Sequence, residues 1–264
     1  MITIIQYMTF IIIYSFCGWV IESISKSIEE RQLVNSGFLN GPICPIYGLG
    51  AMIMIFVLGN LKDKIILLFL AAFVLLTIWE YVVGIFLEKV FKTKYWDYSH
   101  LKFNFQGRIC LKNSIYWGVL GVIFIQFIHP FVSNIVNIIP TISLTYVITI
   151  IYSILVVDIA FSISTYTNME ATMQKINEMG ENIKLKLEEL KQSKNLQSEE
   201  VNHENMEKII HELKRKQLRM KIRFYKQIKR IKMAFPTMKS ESMTKILNQK
   251  VDFETLKNIM KKEK

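Results

Sequence analysis

The residues best placed to do chemistry are acids that interrupt long apolar runs. Glu80 lies near the middle of the run 65–88, and Asp158 lies in the second half of the run 141–164. A carboxylate inside a membrane costs about 3 kcal/mol unless it is paired, hydrated or protonated. If these runs cross a membrane, both acids are therefore candidates for a functional role.

Helical spacing places further acids beside Glu80. Glu80, Gly84 and Glu88 are four residues apart, so they share one face of a helix. An equivalent face is formed earlier in the chain by Tyr14, Gly18 and Glu22. Glycines allow helices to approach closely and buried acids need partners, so the pattern predicts a polar seam inside a helical bundle.

Arg108 is the predicted partner of these acids, with Lys112 as a second candidate. An arginine can hold a carboxylate through two parallel hydrogen bonds. One cation shared among several acids would leave at least one carboxylate to titrate or to bind a solute. Two interpretations stay open: a structural polar network that fixes helix packing, or a path or site for a cation, a proton or a cationic solute.

The acids belong to an internal repeat. Five residues, Gly18, Glu22, Gly41, Ile43 and Cys44, recur 66 positions later as Gly84, Glu88, Gly107, Ile109 and Cys110. Each copy reads as an apolar helix ending in G-x-x-x-E, a polar connection, and G-x-I-C at the start of a second apolar helix. The pattern indicates a duplicated hairpin; the alternative is that glycine and cysteine are simply frequent in membrane helices.

Five apolar runs are long enough to consider as membrane spans: 4–24, 42–59, 65–88, 113–131 and 141–164. A hydrocarbon core of about 30 Å needs about 20 helical residues, and only helices fit such runs. The sequence therefore predicts an all-α, polytopic membrane protein with five transmembrane helices. Two parallel-repeat hairpins, about 4–59 and 65–131, would be followed by an extra helix.

The positive charges predict the orientation. Loops 25–41 and 89–112 hold eight Lys and Arg residues, whereas loops 60–64 and 132–140 hold two. Because basic loops stay in the cytoplasm, we expect a multi-pass protein of the plasma membrane. Its N-terminus would lie outside and its C-terminus in the cytoplasm.

Composition changes near residue 168, which predicts a transmembrane domain over 1–168 and a basic cytoplasmic tail over 169–264. The tail carries 23 basic and 14 acidic residues of a chain with net charge +11. Apolar or small residues step by four and three along 169–190, which is a heptad seam. A second seam beginning at Met206 predicts either a helical hairpin or a coiled coil with another subunit. Two short amphipathic pieces are predicted near 240–248 and 252–262.

The second tail helix carries a basic run. Between Lys214 and Lys232 there are ten basic residues and no acid. Six of them are candidate contacts for anionic lipid or an acidic protein: Lys214, Arg215, Lys216, Arg219, Lys221 and Arg223. Nucleic acid is disfavoured because the preceding span tethers the tail to a membrane, and the alternative is a merely solvated positive face.

The remaining residue types point to no further chemistry. The three cysteines match neither a zinc spacing nor a disulfide framework, and His100 and His129 have no second ligand at a metal-binding spacing. We therefore expect no metal, no cofactor and no enzymatic activity. Aromatic residues of the second basic loop are typical of a segment in the headgroup region or of an ordinary interfacial belt: Tyr95, Trp96, Tyr98, Phe103 and Phe105.

A set of motifs in order along residues 10–132 resembles a known family. The motifs are GWVIE at 18–22, NSGFLNGPICPIYG at 35–48, WEYVVGIFLE at 79–88, WDYS at 96–99, GRICL at 107–111, WGVLG at 117–121 and HP at 129–130. They resemble the bacterial membrane family called "putative ABC-transporter type IV", or CmpB-like permease. FPTMKS at 235–240 is similar to a further part of that pattern.

The resemblance implies a membrane transport component. The chain has no G-x-x-x-x-G-K-[ST] phosphate loop, so a pump would need a separate ATPase subunit docking on the cytoplasmic loops or tail. The alternative function is a membrane-anchored scaffold or regulator that acts through the basic tail. A small bundle of this kind could also form a homo-oligomer through the tail.

Overall fold

The computed structural model describes residues 3–195 and 200–240, and its long elements are all helices. The α-helices are α1 Ile4–Glu30, α2 Pro45–Leu58, α3 Ile65–Phe91, α4 Leu111–Ile123, α5 His129–Ile138, α6 Thr141–Thr167, α7 Met169–Asn195 and α8 Glu200–Ala234. Short strands are β1 Thr93–Lys94, β2 Asn104–Phe105, β3 Ile109–Cys110 and β4 Lys239–Ser240. The amphipathic pieces predicted after Ser240 lie outside the described residues.

Four helical segments in the described chain are long and apolar enough to cross a membrane. They are α1, α3, α6 and the continuous segment Leu111–Ile138, in which a π-helical turn at Phe124–Ile128 joins α4 to α5. The prediction of an all-α, multi-pass membrane protein is confirmed. The run predicted as the second span forms the shorter apolar helix Pro45–Leu61, so a fifth crossing stays a prediction.

The ends of the first helix follow from local sequence. Thr3 and Gln6 form a capping box at the start of α1, where the Gln6 N–H donates to Thr3 Oγ1 at 3.3 Å. Both α1 and α3 end at a basic residue in the left-handed conformation, Arg31 with φ 51° and Lys92 with φ 49°. The chain thus leaves both long helices through the same backbone geometry and enters a polar loop.

Glycines allow α1 and α2 to pack closely. A Cβ atom on Gly48 would lie 3.2 Å from the backbone carbonyl carbon of Ile11, and one on Gly18 would lie 2.5 Å from the Cβ atom of Tyr47. The Cys44 N–H, just before α2, donates to the Ser15 carbonyl oxygen at 3.0 Å. The first pair of helices is therefore held by backbone contact.

Glycines also allow close packing in the second pair of helices, α3 and α4. A Cβ atom on Gly118 would lie 2.6 Å from the Phe69 ring, and one on Gly121 would overlap Ala72. Between the two pairs, the Trp79 indole N–H donates to the Ile46 carbonyl oxygen at 3.1 Å. The four helices therefore form one bundle around a shared core.

That core is apolar and is completed by α5 and α6. It comprises Phe10, Tyr14, Ala51, Met52, Met54, Leu58, Leu68, Ala72, Leu76, Phe124, Ile125, Val136 and Leu144. Large apolar side chains also point outward, as at Ile66 and Ile142, which are 79% and 66% exposed. An outward apolar surface on helices long enough to cross a membrane implies contact with the lipid bilayer.

The chain divides into two compact units. The membrane unit contains residues up to Ser164 together with Ile231–Ser240, and the tail unit contains Thr165–Arg230. The segment 231–240, which the sequence boundary at 168 assigns to the tail, thus groups with the membrane helices.

Within the tail unit, α7 and α8 are linked by a hydrogen bond from the Gln217 side-chain amide to the Ile176 carbonyl oxygen, at 2.9 Å. Five buried α7 residues all lie on the predicted heptad seam: Met169, Met173, Ile176, Ile183 and Leu190. A coiled coil with a second chain stays a prediction.

Candidate functional site

Glu80 is buried in the bundle and is held by neutral donors. It is 5% exposed on α3, and its carboxylate accepts the Tyr98 hydroxyl at 3.1 Å and the Trp117 indole N–H at 2.9 Å. Asn113 supplies a further side-chain hydrogen bond. Among the described residues, no lysine or arginine lies within ion-pair distance of Glu80.

Arg108 pairs with Glu88 instead of Glu80. Its Nε and Nη2 atoms donate to Glu88 Oε2 at 3.0 and 2.7 Å, and its Nη1 atom contacts the Gln106 side-chain oxygen. Arg108 is thus a partner of one of the acids, as predicted. Among the described residues it pairs with neither Glu80 nor Glu22, so the prediction that one cation serves several acids is wrong. The reason is the position of Glu80 and Glu88 along α3. Glu88 lies about 12 Å further along the helix than Glu80, near the end that leads into the loop carrying Arg108.

Glu22 lies on α1, in the first pair of helices. It is half-buried on α1 and accepts the Tyr47 hydroxyl at 2.9 Å and the Ser36 hydroxyl at 3.0 Å. The Tyr47 ring lies directly over Gly18, where any larger residue would displace it. The predicted seam glycine is thus what allows Tyr47 to reach Glu22.

Two aromatic rings connect Glu22 on α1 with Glu80 on α3. The ring centroids of Tyr47 and Trp117 are 6.3 Å apart, and each ring donates to one acid, Tyr47 to Glu22 and Trp117 to Glu80. We call these four residues and Tyr98 the acid cluster. Burial, and then the charge and hydrogen bond of Glu80, raise the pKa of Tyr98 far above its usual value, so its hydroxyl stays protonated and donates.

The two G-x-I-C elements occupy equivalent places before α2 and α4. Cys44 and Cys110 are 3% and 1% exposed and immediately precede these helices. The Gly41 N–H donates to Asp158 at 2.7 Å, whereas Gly107 has a φ of +65° and is held in its own loop. The motif residues therefore serve packing and loop conformation. Among the described residues, none of them forms a hydrogen bond with Glu80.

Asp158 fastens the first loop to α6. Its carboxylate accepts the backbone N–H of Asn40 at 3.1 Å, the Asn40 side chain at 3.0 Å and the Gly41 N–H at 2.7 Å. Ser162, one helical turn further along α6, donates to the same carboxylate at 3.3 Å. With these donors from one loop, Asp158 acts as an anchor.

Replacing Asp158 by asparagine is expected to loosen the first loop. The asparagine amide cannot accept at both ends, so at least one backbone N–H loses its partner at a cost of about 1–3 kcal/mol. Faster hydrogen exchange over 35–44 would report this, and the exposed Asp63→Asn should leave that exchange unchanged. Equal exchange in both variants would contradict the anchoring role.

The aromatic residues of the second loop divide into two groups. Tyr95 is 3% exposed, and the Trp96 ring lies 3.3 Å from the position of a Cβ atom on Gly84, the second of the two seam glycines. Phe103 and Phe105 are 80% and 55% exposed. Headgroup contact therefore stays a prediction for the exposed pair, while the inner residues pack against the bundle.

Asp97 organises the same loop and was missed from the sequence. Its carboxylate lies 2.7 Å from Lys94 Nζ, 2.6 Å from the Ser99 hydroxyl and 2.5 Å from Lys239 Nζ. Its backbone N–H donates to Thr237 Oγ1 at 3.2 Å. Burial raises the pKa of Asp97, but the hydrogen bonds from Lys239, Lys94 and Ser99 outweigh it and hold that pKa well below its usual range.

The lowered pKa predicts how Asp97 contributes to stability as pH changes. A carboxyl whose pKa is lower in the folded state stabilises fully above its unfolded value of about 3.9, and the contribution is lost as pH falls below that. We therefore expect Asp97→Asn to lower thermal stability equally at pH 7 and pH 5. The difference from wild type should shrink only below about pH 4, and a gap that closes already at pH 6 would contradict this account.

A second polar contact that the sequence did not reveal joins Tyr14 to His129. The Tyr14 hydroxyl and His129 Nδ1 lie 2.8 Å apart, and Tyr14 is 4% exposed. His129 directly follows the π-helical turn, whose extra residue shifts the direction of the side chains after it. A regular helical period cannot predict such a shift.

The six candidate basic residues of α8 belong to the tail unit. Lys214, Arg215, Lys216, Arg219 and Arg223 are exposed, and Lys221 is half-buried. Within the described chain, none of the six forms an ion pair.

Comparison with known proteins identifies the family. The family described as "Putative ABC-transporter type IV" matches residues 8–163. A search of curated proteins and a search of solved structures each found no match. The matched region contains the acid cluster, both basic loops and Asp158, and it indicates a membrane transport component. The chain therefore belongs to the "Putative ABC-transporter type IV" family.

Proposed function

We propose that this membrane transport component handles a cation, a proton or a cationic solute at the acid cluster. The observation that carries the proposal is Glu80, a 5% exposed carboxylate in a membrane helix whose described partners are all neutral. Intramembrane acids are costly, and they commonly mark ion and proton pathways. A carboxylate held by Tyr98 and Trp117 keeps its affinity for positive charge, whereas one already paired with arginine does not.

The remaining acids give the cluster a direction. Glu22 is half-buried in the half of α1 nearer the first basic loop, and its donor Tyr47 lies beside Trp117, the donor to Glu80. A cation arriving from the loop side meets Glu22 first and Glu80 second. Glu88 is neutralised by Arg108 and so does not compete for the cation.

The proposed topology has five spans in two parallel-repeat hairpins plus α6. The second span would be Pro45–Leu61, about 25 Å long. The N-terminus would lie outside, and both basic loops and the C-terminus would lie in the cytoplasm. Reporter fusions after residues 62 and 136 should then read outside and fusions after 35, 100 and 200 inside; a cytoplasmic signal at 62 would contradict this orientation.

Energy for active transport would come from outside the chain. The sequence carries no Walker-type phosphate loop, so a separate ATPase subunit or an ion gradient would drive any pump. We propose no enzymatic role and no metal or cofactor for this chain. The cytoplasmic loops and the tail, assigned to 169–264 by the sequence, are the surfaces on which such a subunit would dock.

A second function is favoured by the basic face of α8. The five exposed residues among the six candidates have no acidic partner within the described chain, which fits a scaffold or regulator that binds anionic lipid. Because each basic residue near an anionic membrane contributes about 1 kcal/mol, replacing all six candidates by alanine should weaken binding to phosphatidylserine vesicles at least about a hundredfold. The control is the replacement of three exposed α7 lysines, Lys175, Lys184 and Lys191. Equal binding by both variants would contradict a lipid-binding role for this face.

Two variants, expressed in cells that lack the native protein, distinguish the transport function from the scaffold or regulator function. If transport is the function, Glu80→Gln reproduces the null phenotype and the sixfold α8 variant does not. If the tail is the working part, the outcome is reversed. Truncation at residue 170 is a poorer test, because it would also remove segment 231–240 from the membrane unit.

A further inference from the structure

The segment 231–240 is built into the membrane unit by several independent contacts. Strand β4 pairs antiparallel with β1, with Thr93 opposite Ser240 and Lys94 opposite Lys239. The rings of Phe235 and Tyr95 meet edge to face at 4.8 Å. Ile231 and Ala234 are 0% and 1% exposed. The contacts combine backbone pairing, aromatic packing and burial, so the segment is held at a defined position against the second basic loop.

A buried carboxylate joins the segment to that loop. Asp97, whose side chain is 7% exposed, lies between Lys94 of the loop and Lys239 of the segment, at 2.7 and 2.5 Å. Breaking a buried pair by removing one partner leaves an uncompensated charge, which is strongly unfavourable. The ion pair therefore favours the seated arrangement of the segment.

The next residue along the chain reaches the acid cluster. Tyr98 follows Asp97 directly, and its hydroxyl donates to Glu80 while its N–H donates to the Gly107 carbonyl oxygen at 2.8 Å. Lys94 Nζ also donates to the Gln106 carbonyl oxygen at 3.0 Å. This part of the loop is thus held on two sides. Segment 231–240 contacts it on one side, and residues 106–107 contact it on the other.

We infer that residues 231–240 act as a clip that holds the Tyr98 hydroxyl on Glu80, with Asp97 and Lys239 as positioning residues. The clip closes one approach to the buried carboxylate, and its release exposes that carboxylate from the side of the second loop. The inference deepens the proposed function, since it concerns access to the same site. Its test measures access directly, so it does not require that transport be observed.

Labelling of Glu80 by dicyclohexylcarbodiimide tests the clip. This apolar reagent adds its own mass to membrane-buried carboxyl groups, and peptide mass spectrometry gives the yield at Glu80. Lys239→Ala should release the clip and raise that yield by about tenfold. The reason is that loss of one charge-assisted hydrogen bond increases the population of the released form by about this factor. Lys239→Arg, which keeps the charge, should restore the wild-type yield.

Two further variants complete the experiment. Lys232→Ala changes an exposed lysine of the same segment and should leave labelling unchanged. Tyr98→Phe removes the covering hydroxyl directly and should raise labelling whether or not the clip is seated. An unchanged yield in Lys239→Ala, or in Tyr98→Phe, overturns the inference.

A disulfide distinguishes release of the clip from general loosening. Thr93 and Ser240 lie opposite each other in the strand pair, so cysteines at both positions can be bridged, with Cys17→Ser to remove the exposed native thiol. In the oxidised form, Lys239→Ala should label as wild type does, and reduction should restore the high yield. High labelling in the bridged form would show that Lys239 acts on Glu80 by another route and would overturn the clip.

Discussion

Replacing Gly48 by valine is expected to remove most of the folded protein. A Cβ atom at this position would meet the Ile11 backbone, which cannot move away as a flexible side chain could. Overpacking of this kind costs about 3 kcal/mol when backbone must shift. We expect a sharply lower thermal stability in detergent and little monodisperse protein.

Gly59→Val is the matched control for that substitution. Nothing lies within 4 Å of a Cβ atom placed on Gly59, and its φ of −53° suits any residue. Its melting temperature should stay near that of wild type. If the two valine variants have the same melting temperature, close contact between α1 and α2 is not what holds this pair of helices together.

Removing both aromatic donors of Glu80 is expected to be the most damaging change in the acid cluster. Tyr98→Phe together with Trp117→Phe leaves the carboxylate without its hydroxyl and indole partners. Each hydrogen bond to a charged group is worth about 1.5–3 kcal/mol, so the free energy of unfolding should fall by about 3–6 kcal/mol. Thermal or denaturant unfolding in detergent measures the loss.

Two comparisons make this result specific to the carboxylate. Tyr116→Phe, at an exposed tyrosine beside Trp117, should have little effect. Adding Glu80→Met to the double variant should recover part of the lost stability, because the buried carboxylate that has lost these two donors is gone. A double variant as stable as wild type would mean that Glu80 does not depend on these donors.

Much of the architecture could be predicted from the sequence because it depends on patterns that are local. Apolar length predicts the spans at α1, α3 and α6, and residues 8–163 match the family that the motifs resemble. The seam glycines Gly18 and Gly84 do lie where rings pack closely against a helix. These features need only the period of a helix and the size of a side chain.

The partners of Glu80 could not be predicted, because they depend on loop conformation. Charge predicted Arg108 as a partner of the acids, and Arg108 pairs with Glu88. The donors to Glu80 are instead a tyrosine in the loop and a tryptophan 37 positions away, neither of which carries charge. The Asp97 to Lys239 pair joins residues far apart in the sequence. Such contacts follow from how the chain returns to the bundle, which no short pattern encodes.

The most direct measurement of the central claim is cation flux through the purified protein in liposomes across an imposed pH gradient. A panel of monovalent, divalent and organic cations, with proton uptake followed in parallel, covers the class of solute proposed. Wild type should show pH-dependent flux, and Glu80→Gln should reduce it at least about tenfold while the exposed Glu29→Gln does not. Absence of flux for every cation and for protons, or full flux in Glu80→Gln, would contradict a transport role for the acid cluster.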